Sequence, residues 1–255
     1  MGKNIKILVC AHKDSRLPQH EYFCPIQVGA SLTSARFFPV LDNTGDNISL
    51  KNPSYCELTG LYWIWKNTCD DIVGVCHYRR YFADSFIPDK KKLLSGEDVK
   101  RYMKDFDIIL PHKRFFDGKN ALEFYGKYHN IEDWQRMVEV VGDLYPEYIP
   151  DIEWFGKEKK GYCYNMFITT RENMYLYCKW LFSILFELEK DTNTTTYTKY
   201  NSRIYGFLSE RMLNIWLHHN NLKICEKNVY NPEFFPMVWN QARGWILRKL
   251  KREKK

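Results

Sequence analysis

No pair among this chain's eight cysteines has the Cys-x-x-Cys spacing of a zinc ribbon or a redox dithiol, and most of them stand inside apolar runs. Cys10, Cys24, Cys56, Cys69, Cys76, Cys163, Cys178 and Cys225 are therefore expected as reduced, buried thiols. No stretch approaches the roughly 18 uncharged apolar residues of a membrane-spanning helix. Met1-Gly2-Lys3-Asn4 runs straight into an apolar strand without a signal-like segment, so a cytoplasmic location is expected. There is no recognition-helix or RNA-binding signature, and outside the C-terminal tail the basic residues interleave with acids, so nucleic acid is not expected as a partner. No Pro/Gly-rich linker divides the chain. Residues 1–240 are expected as a single domain, with a basic tail at 241–255.

What remains is a 255-residue chain, 45% hydrophobic and 16% aromatic, enough for one large core with aromatic rings left over for a cleft. The net charge is +7, and much of the excess lies in Arg248-Lys249-Leu250-Lys251-Arg252-Glu253-Lys254-Lys255. Such a tail is either a solvated end or a peripheral contact with an anionic membrane on the inner face of the cell.

The most informative segment is Ile72-Val73-Gly74-Val75-Cys76-His77-Tyr78-Arg79-Arg80-Tyr81-Phe82. An apolar, β-branched strand that ends in a histidine and two arginines delivers cations to a sheet edge, where open α/β folds place their ligands. Planar guanidinium groups bind oxyanions in a bidentate fashion, and the neighbouring rings restrict their motion. A phosphate is the expected anion, held by Arg79 and Arg80. Adjacent arginines are otherwise solvated surface, and the rings otherwise packing.

Around this segment strands and helices alternate. Residues 6–10 read as a strand that stops at the polar turn Ala11-His12-Lys13-Asp14, suited to meet a nucleotide. Residues 37–49 read as a loop, 55–67 as a helix capped by Asn52 or Ser54, 72–76 as a strand, and 107–111 as a short buried strand after a helix starting at Gly96. Residues 125–134 are expected to open a helix on which the spacing from His129 to Asp133 puts both on one side, able to grip sugar hydroxyls. Residues 161–168 read as a strand, 172–189 as a helix, 191–201 as a mobile loop and 203–217 as a helix. Repeated β-α-β units imply an α/β fold, a mostly parallel central sheet flanked by helices.

The blocks at residues 7–13, 52–67, 74–82, 129–134, 165–168 and 206–211 resemble a bacterial family of capsular and exopolysaccharide-synthesis glycosyltransferases long catalogued as a domain of unknown function. HYRRYF at 77–82 and GFLSER at 206–211 are the most specific elements, and the likeness spans about residues 5–230. It implies a GT-A-like fold and transfer of a hexose, with galactose or galactofuranose as leading candidates, from a UDP-sugar to a glycan acceptor that can be lipid-linked. In that fold a strand ends in a metal-binding Asp-x-Asp, where His77-Tyr78-Arg79 stands here. The expectation is that Arg79 and Arg80 hold the pyrophosphate with His77 beside them and that no tightly bound metal is needed. Asp84 and Asp107 are the reserve ligands for manganese or magnesium.

By the same resemblance Glu210, at the start of a late helix, is the first choice for the general base, and Asp133 the second. Ala11, His12, Lys13 and Asn47 are expected near the nucleoside, and His129, Trp134, Tyr162 and Asn165 at the acceptor. The competing reading is a non-catalytic nucleotide-sugar or carbohydrate-binding subunit of a polysaccharide assembly complex, which would need the cations but no carboxylate at the reaction centre.

Overall fold

The computed structural model describes residues 3–85 and 92–233. The basic tail at 241–255, and with it the expected membrane contact, lies outside the described residues. Among the described residues no helix is long and apolar enough to cross a membrane.

In chain order the elements are β1 (Ile5–Ala11), β2 (Phe23–Gln27), β3 (Val40–Leu41), α1 (Asn52–Tyr55), α2 (Leu58–Asn67), β4 (Ile72–His77), β5 (Tyr81–Ala83), α3 (Gly96–Tyr102) and β6 (Ile108–Pro111). There follow β7 (Arg114–Phe115), α4 (Ala121–Tyr128), α5 (Ile131–Leu144), α6 (Ile149–Lys157), β8 (Lys160–Gly161), β9 (Phe167–Thr170), α7 (Arg171–Asp191), α8 (Ile204–His219) and β10 (Ile224–Tyr230). Eight strands form one sheet in the order β3-β2-β1-β4-β9-β6-β10-β5, and β7 pairs with β8 apart from it.

The pairs β3–β2, β2–β1, β1–β4 and β6–β10 are parallel, as expected. β9 enters between β4 and β6 and runs against both, and β5 runs against β10. The reversal of β9 matters for function. It brings the start of β9, after Tyr164-Asn165-Met166, to the sheet edge where β1 and β4 end, because Phe167 pairs with Val75. Gly74 permits this close pairing, since a Cβ there would lie 2.7 Å from the Phe167 carbonyl oxygen.

Alternate residues of the central strands pack on opposite faces, which is why these strands read as unbroken apolar runs. Leu8, Cys10, Val73, Val75 and Leu110 join the large core under α2, α7 and α8. Ile7, Ile72, Cys76, Ile109 and Ile168 pack on the other face with Val99 and Met103 of the α3 region. Ser95 starts α3 with a reciprocal capping box to Asp98.

In three places an expected continuous element is broken. The helix expected over 55–67 is split at Cys56, whose backbone is left-handed (φ 54°, ψ −130°). Neither Asn52 nor Ser54 caps it, since Asn52 Nδ2 donates to the Cys56 carbonyl and to Thr59 Oγ1, and Ser54 Oγ to the Lys51 carbonyl. The helix expected to open at 125–134 is two helices, with His129 extended after α4 and Asn130 before α5, so His129 and Asp133 share no helix face. The strand expected over 161–168 is divided into β8 and β9 by Tyr164 at φ 78°. The stretch 191–201 carries a 3-10 turn at Thr194–Thr196, and Asn201 begins a second.

Candidate active site

The ends of β1 and β4, the α1–α2 break, the segment before β9 and the start of α8 enclose two joined hollows. The first, about 400 Å³, is lined by His12, Asn52, Cys56, Glu57, His77, Arg79, Lys199 and Arg203. The second, about 220 Å³, shares Glu57, His77, Arg79 and Arg203 with it and adds Arg80, Tyr164, Asn165 and Glu210. A third, about 400 Å³, begins on the far side of Glu210.

The cations are held by aromatic faces. The Arg79 guanidinium lies 4.9 Å from the centre of the Tyr78 ring, and that of Arg80 lies 4.0 Å from the Tyr164 ring. Arg114 donates to the Tyr164 hydroxyl, which further fixes that ring. Arg79 Nε is buried and has no hydrogen-bond partner among the described residues, and its nearest acid is Glu233 at 3.6 Å. Arg79 lines both hollows, and a guanidinium group with an unmet donor is suited to an oxyanion. Burial and then Arg80 and Arg79 pull the His77 pKa down to about 3. Burial likewise lowers that of His12. Both rings are neutral near pH 7, so the permanent charge here belongs to Arg79, Arg80, Lys199 and Arg203.

Two carboxylates line the second hollow. Glu57 follows the strained Cys56, and its Oε1 accepts from Asn165 Nδ2 at 2.8 Å. Burial pushes its pKa above the usual carboxylate range, against the opposing effect of that hydrogen bond. Asn165 is itself clamped by α8. Its Nδ2 also donates to the Gly206 carbonyl at 3.2 Å, and Ser209 Oγ donates to its Oδ1 at 2.9 Å. Gly206 packs closely here, since a Cβ there would stand 3.2 Å from Cys56 Sγ and the sulfur would have to give way slightly. Cys56 Sγ in turn accepts from Arg203 Nε at 3.1 Å. Glu210 is bound by Arg211, with Nη1 to Oε2 at 2.6 Å.

The structure brings His12, His77, Arg79, Arg80, Asn165 and Glu210 together. It places the other expected residues elsewhere. Lys13 lies over the Tyr78 ring, with Nζ 5.4 Å from its centre, beside the first hollow. Ala11 is buried, and its carbonyl accepts from the Val28 amide. Asn47 is spent on its own loop, bonded to Gly45 and Ser49. Asp133 accepts from the Tyr197 hydroxyl at 2.6 Å in a separate hollow with Arg136 and Asp191. Trp134 packs between Tyr125 and Phe155 and borders an apolar hollow of about 590 Å³ on the outside of α4 and α5. Tyr162 is buried, with its hydroxyl on Glu226, and His129 lines the third hollow.

Glu57, Arg203, Lys199 and Tyr164 were not singled out from the sequence. A signal existed for Glu57, an acid interrupting the apolar run Tyr55-Cys56-Glu57-Leu58, and for Arg203, three residues ahead of the GFLSER block.

Neither reserve metal ligand lines the joined hollows. Asp84 is engaged by Lys227 at 2.8 Å and by Tyr102. Asp107, in the triplet Asp105-Phe106-Asp107, lies at the start of β6, the opposite end of the sheet, where its carboxylate accepts from the Lys223 amide. Among the described residues no group of three or more His, Cys, Asp or Glu could hold a metal. His77 shares its hollow with the guanidinium groups of Arg79, Arg80 and Arg203 and with the carboxylates of Glu57 and Glu210.

Among solved structures the chain is similar to the WbbM bifunctional glycosyltransferase in its apo form, at 34% identity and a TM-score of 0.82 over 89% of this chain. The chain spans 45% of that protein, less than half of its length. The eight-stranded mixed sheet flanked by helices is thus a GT-A-like α/β fold. No curated protein matches. A family model described as a domain of unknown function, DUF4422, matches residues 6–221. The match runs from β1 through α8 and takes in both joined hollows, so the chain belongs to the DUF4422 family.

Proposed function

We propose that this protein is a glycosyltransferase that moves a hexose from a UDP-sugar to a glycan acceptor in the synthesis of a capsular polysaccharide, exopolysaccharide or O-antigen. The observation that carries the reading is the convergence of three guanidinium groups and two carboxylates on one hollow at the C-terminal edge of the sheet. The likeness to a bifunctional glycosyltransferase supports it. Galactose or galactofuranose as the sugar, and the pathway itself, rest on the resemblance of the HYRRYF and GFLSER blocks.

In this reading an acceptor hydroxyl attacks the anomeric carbon while the bond from that carbon to the diphosphate oxygen breaks. The bonding pair leaves with the UDP, whose developing charge is met by Arg79, Arg80 and Arg203. The hydroxyl proton passes to a carboxylate. Glu57 fits that task, since burial raises its pKa and so makes its carboxylate the stronger proton acceptor, while Glu210 has Oε2 occupied by Arg211. Asn165, fixed by Ser209 and Gly206, holds the Glu57 carboxylate in place.

The test is UDP release from a panel of UDP-sugars. Release by the wild type, with Glu57→Gln slower by roughly 10²–10⁴-fold and UDP affinity retained, supports both the reaction and the base. If Glu57→Gln turns over normally and Glu210→Gln does not, the base is Glu210. Binding of a UDP-sugar without release by any form of the protein points to the non-catalytic subunit instead.

A further inference from the structure

The third hollow is unlike the first two. Phe115, 78% exposed, Tyr200, 52%, and Tyr128, 41%, leave large aromatic surface in solvent around a single opening. Rings so exposed and so grouped mark a binding surface rather than stray apolar residues. The inner wall continues the theme: the Phe207 ring stacks on His129 at 4.0 Å, and burial with Arg211 and Arg203 nearby pulls the His129 pKa down to about 4, so that ring is neutral.

The floor is polar. Arg211 has only 5% of its side chain exposed, and its Nε is buried with no hydrogen-bond partner among the described residues. It holds Glu210, which is shared with the second hollow. Asp117 on the rim accepts from the Tyr128 hydroxyl. Flat apolar faces at the mouth and a cation–carboxylate pair at the base match a sugar ring, which offers a face of C–H bonds to an aromatic ring and hydroxyls at its edge. An occupant whose edge hydroxyls meet Glu210 presents them to the second hollow, where the diphosphate would leave.

We infer that this third hollow is the acceptor site, and that it takes the terminal sugar ring of a glycan against the exposed rings Phe115 and Tyr200, with Arg211 and Glu210 on its hydroxyls. The inference rests on the glycosyltransferase reading above. It shifts acceptor recognition away from Trp134 and Tyr162, neither of which lines this hollow.

The experiment uses the full chain with the methyl glycosides of galactose, glucose and N-acetylglucosamine as probes. Binding is read by saturation-transfer NMR, and UDP affinity is measured separately by calorimetry. At least one glycoside is expected to show saturation of its ring protons. Phe115→Ala and Tyr200→Ala should weaken that binding about fivefold, leave UDP affinity and acceptor-free donor hydrolysis unchanged, and in the first case be rescued by Phe115→Trp. Phe115 and Tyr200 are 78% and 52% exposed, and thermal melts of both variants check that the fold is kept. Absence of ring-proton saturation with all three probes, equal binding by the variants, or loss of UDP affinity in place of glycoside affinity overturns the inference. Failure of the parent reading looks different: no UDP release from any donor, whatever the glycosides do.

Discussion

Arg79 and Arg80 rest their guanidinium groups on neighbouring rings, so they enter the cleft with little freedom left to lose on binding an anion. Arg79→Ala or Arg203→Ala should weaken UDP binding by roughly 10- to 150-fold in calorimetry, the loss of a charge-assisted hydrogen bond worth about 1.5–3 kcal/mol. Arg79→Lys should not restore it, because an ammonium neither stacks nor forks. A lysine that binds as well as arginine would show that only charge matters. With His77 held to about 3 and His12 lowered, UDP-galactose binding should be flat between pH 6 and pH 8. Glu57 has the opposite sense. Its folded pKa stands above the unfolded value of about 4.3, so its contribution to stability is full below that value and is lost as pH rises through the folded pKa. Glu57→Gln keeps an acceptor for Asn165 without the buried charge, and its Tm at pH 8 should exceed that of the wild type while the acidic limb of the rate profile disappears. A lower Tm would mean that the ionised carboxylate is stabilising. The arginines were legible because cations after an apolar strand have no packing reason to be there. Glu57 left a weaker trace, an acid within an apolar run, because an acid at a helix start is ordinary.

The elements show the same division. β1, β4 and β6 and the long helices α7 and α8 follow the apolar period closely, because burial on both faces of a strand or on one face of a helix leaves a repeating trace in sequence. Strand direction leaves none, and so β9 was read as a strand without its reversal. Nor does a break that is imposed from outside: at Cys56 and Tyr164 non-glycine residues sit at positive φ, and each adjoins a side chain of the cleft, Glu57 and Asn165 respectively. Such backbone costs about 1–3 kcal/mol and persists where the surroundings enforce it. Cys56→Gly should therefore fold with a Tm equal to or above that of the wild type, while Cys56→Val, branched at Cβ, should lose about 1–3 kcal/mol in denaturant melts. Equal stability of the two variants would show that the backbone there relaxes without strain. The turn also carries Arg203, through Cys56 Sγ, so Cys56→Gly tests whether that thiol is needed to aim the guanidinium: UDP affinity falls in the glycine variant if it is.

Across the whole molecule, charge is distributed so that the cleft is prepared for an anion before one arrives. Arg79, Arg80, Lys199 and Arg203 face Glu57 and Glu210, an excess of two positive charges in the joined hollows. In the proposed reading the two negative charges of a nucleotide sugar's diphosphate meet this positive excess, and Arg211 adds to it by pairing with Glu210. In a GT-A-like fold that relies on carboxylates, the same end of β4 would gather acids; here the Asp-x-Asp triplet lies at the far end of the sheet, bonded to the Lys223 backbone, and Asp84 is paired with Lys227. UDP affinity and UDP release should accordingly be unchanged in excess EDTA, and added manganese or magnesium should give no more than the weak competition expected from metal binding to free UDP. Both should fall as ionic strength rises, since the attraction is carried by partly exposed guanidinium groups within reach of screening ions. Complete loss of turnover in EDTA, restored by manganese, would require a ligand set that the arginine-rich end of β4 does not provide, and would overturn the assignment of leaving-group stabilisation to Arg79, Arg80 and Arg203.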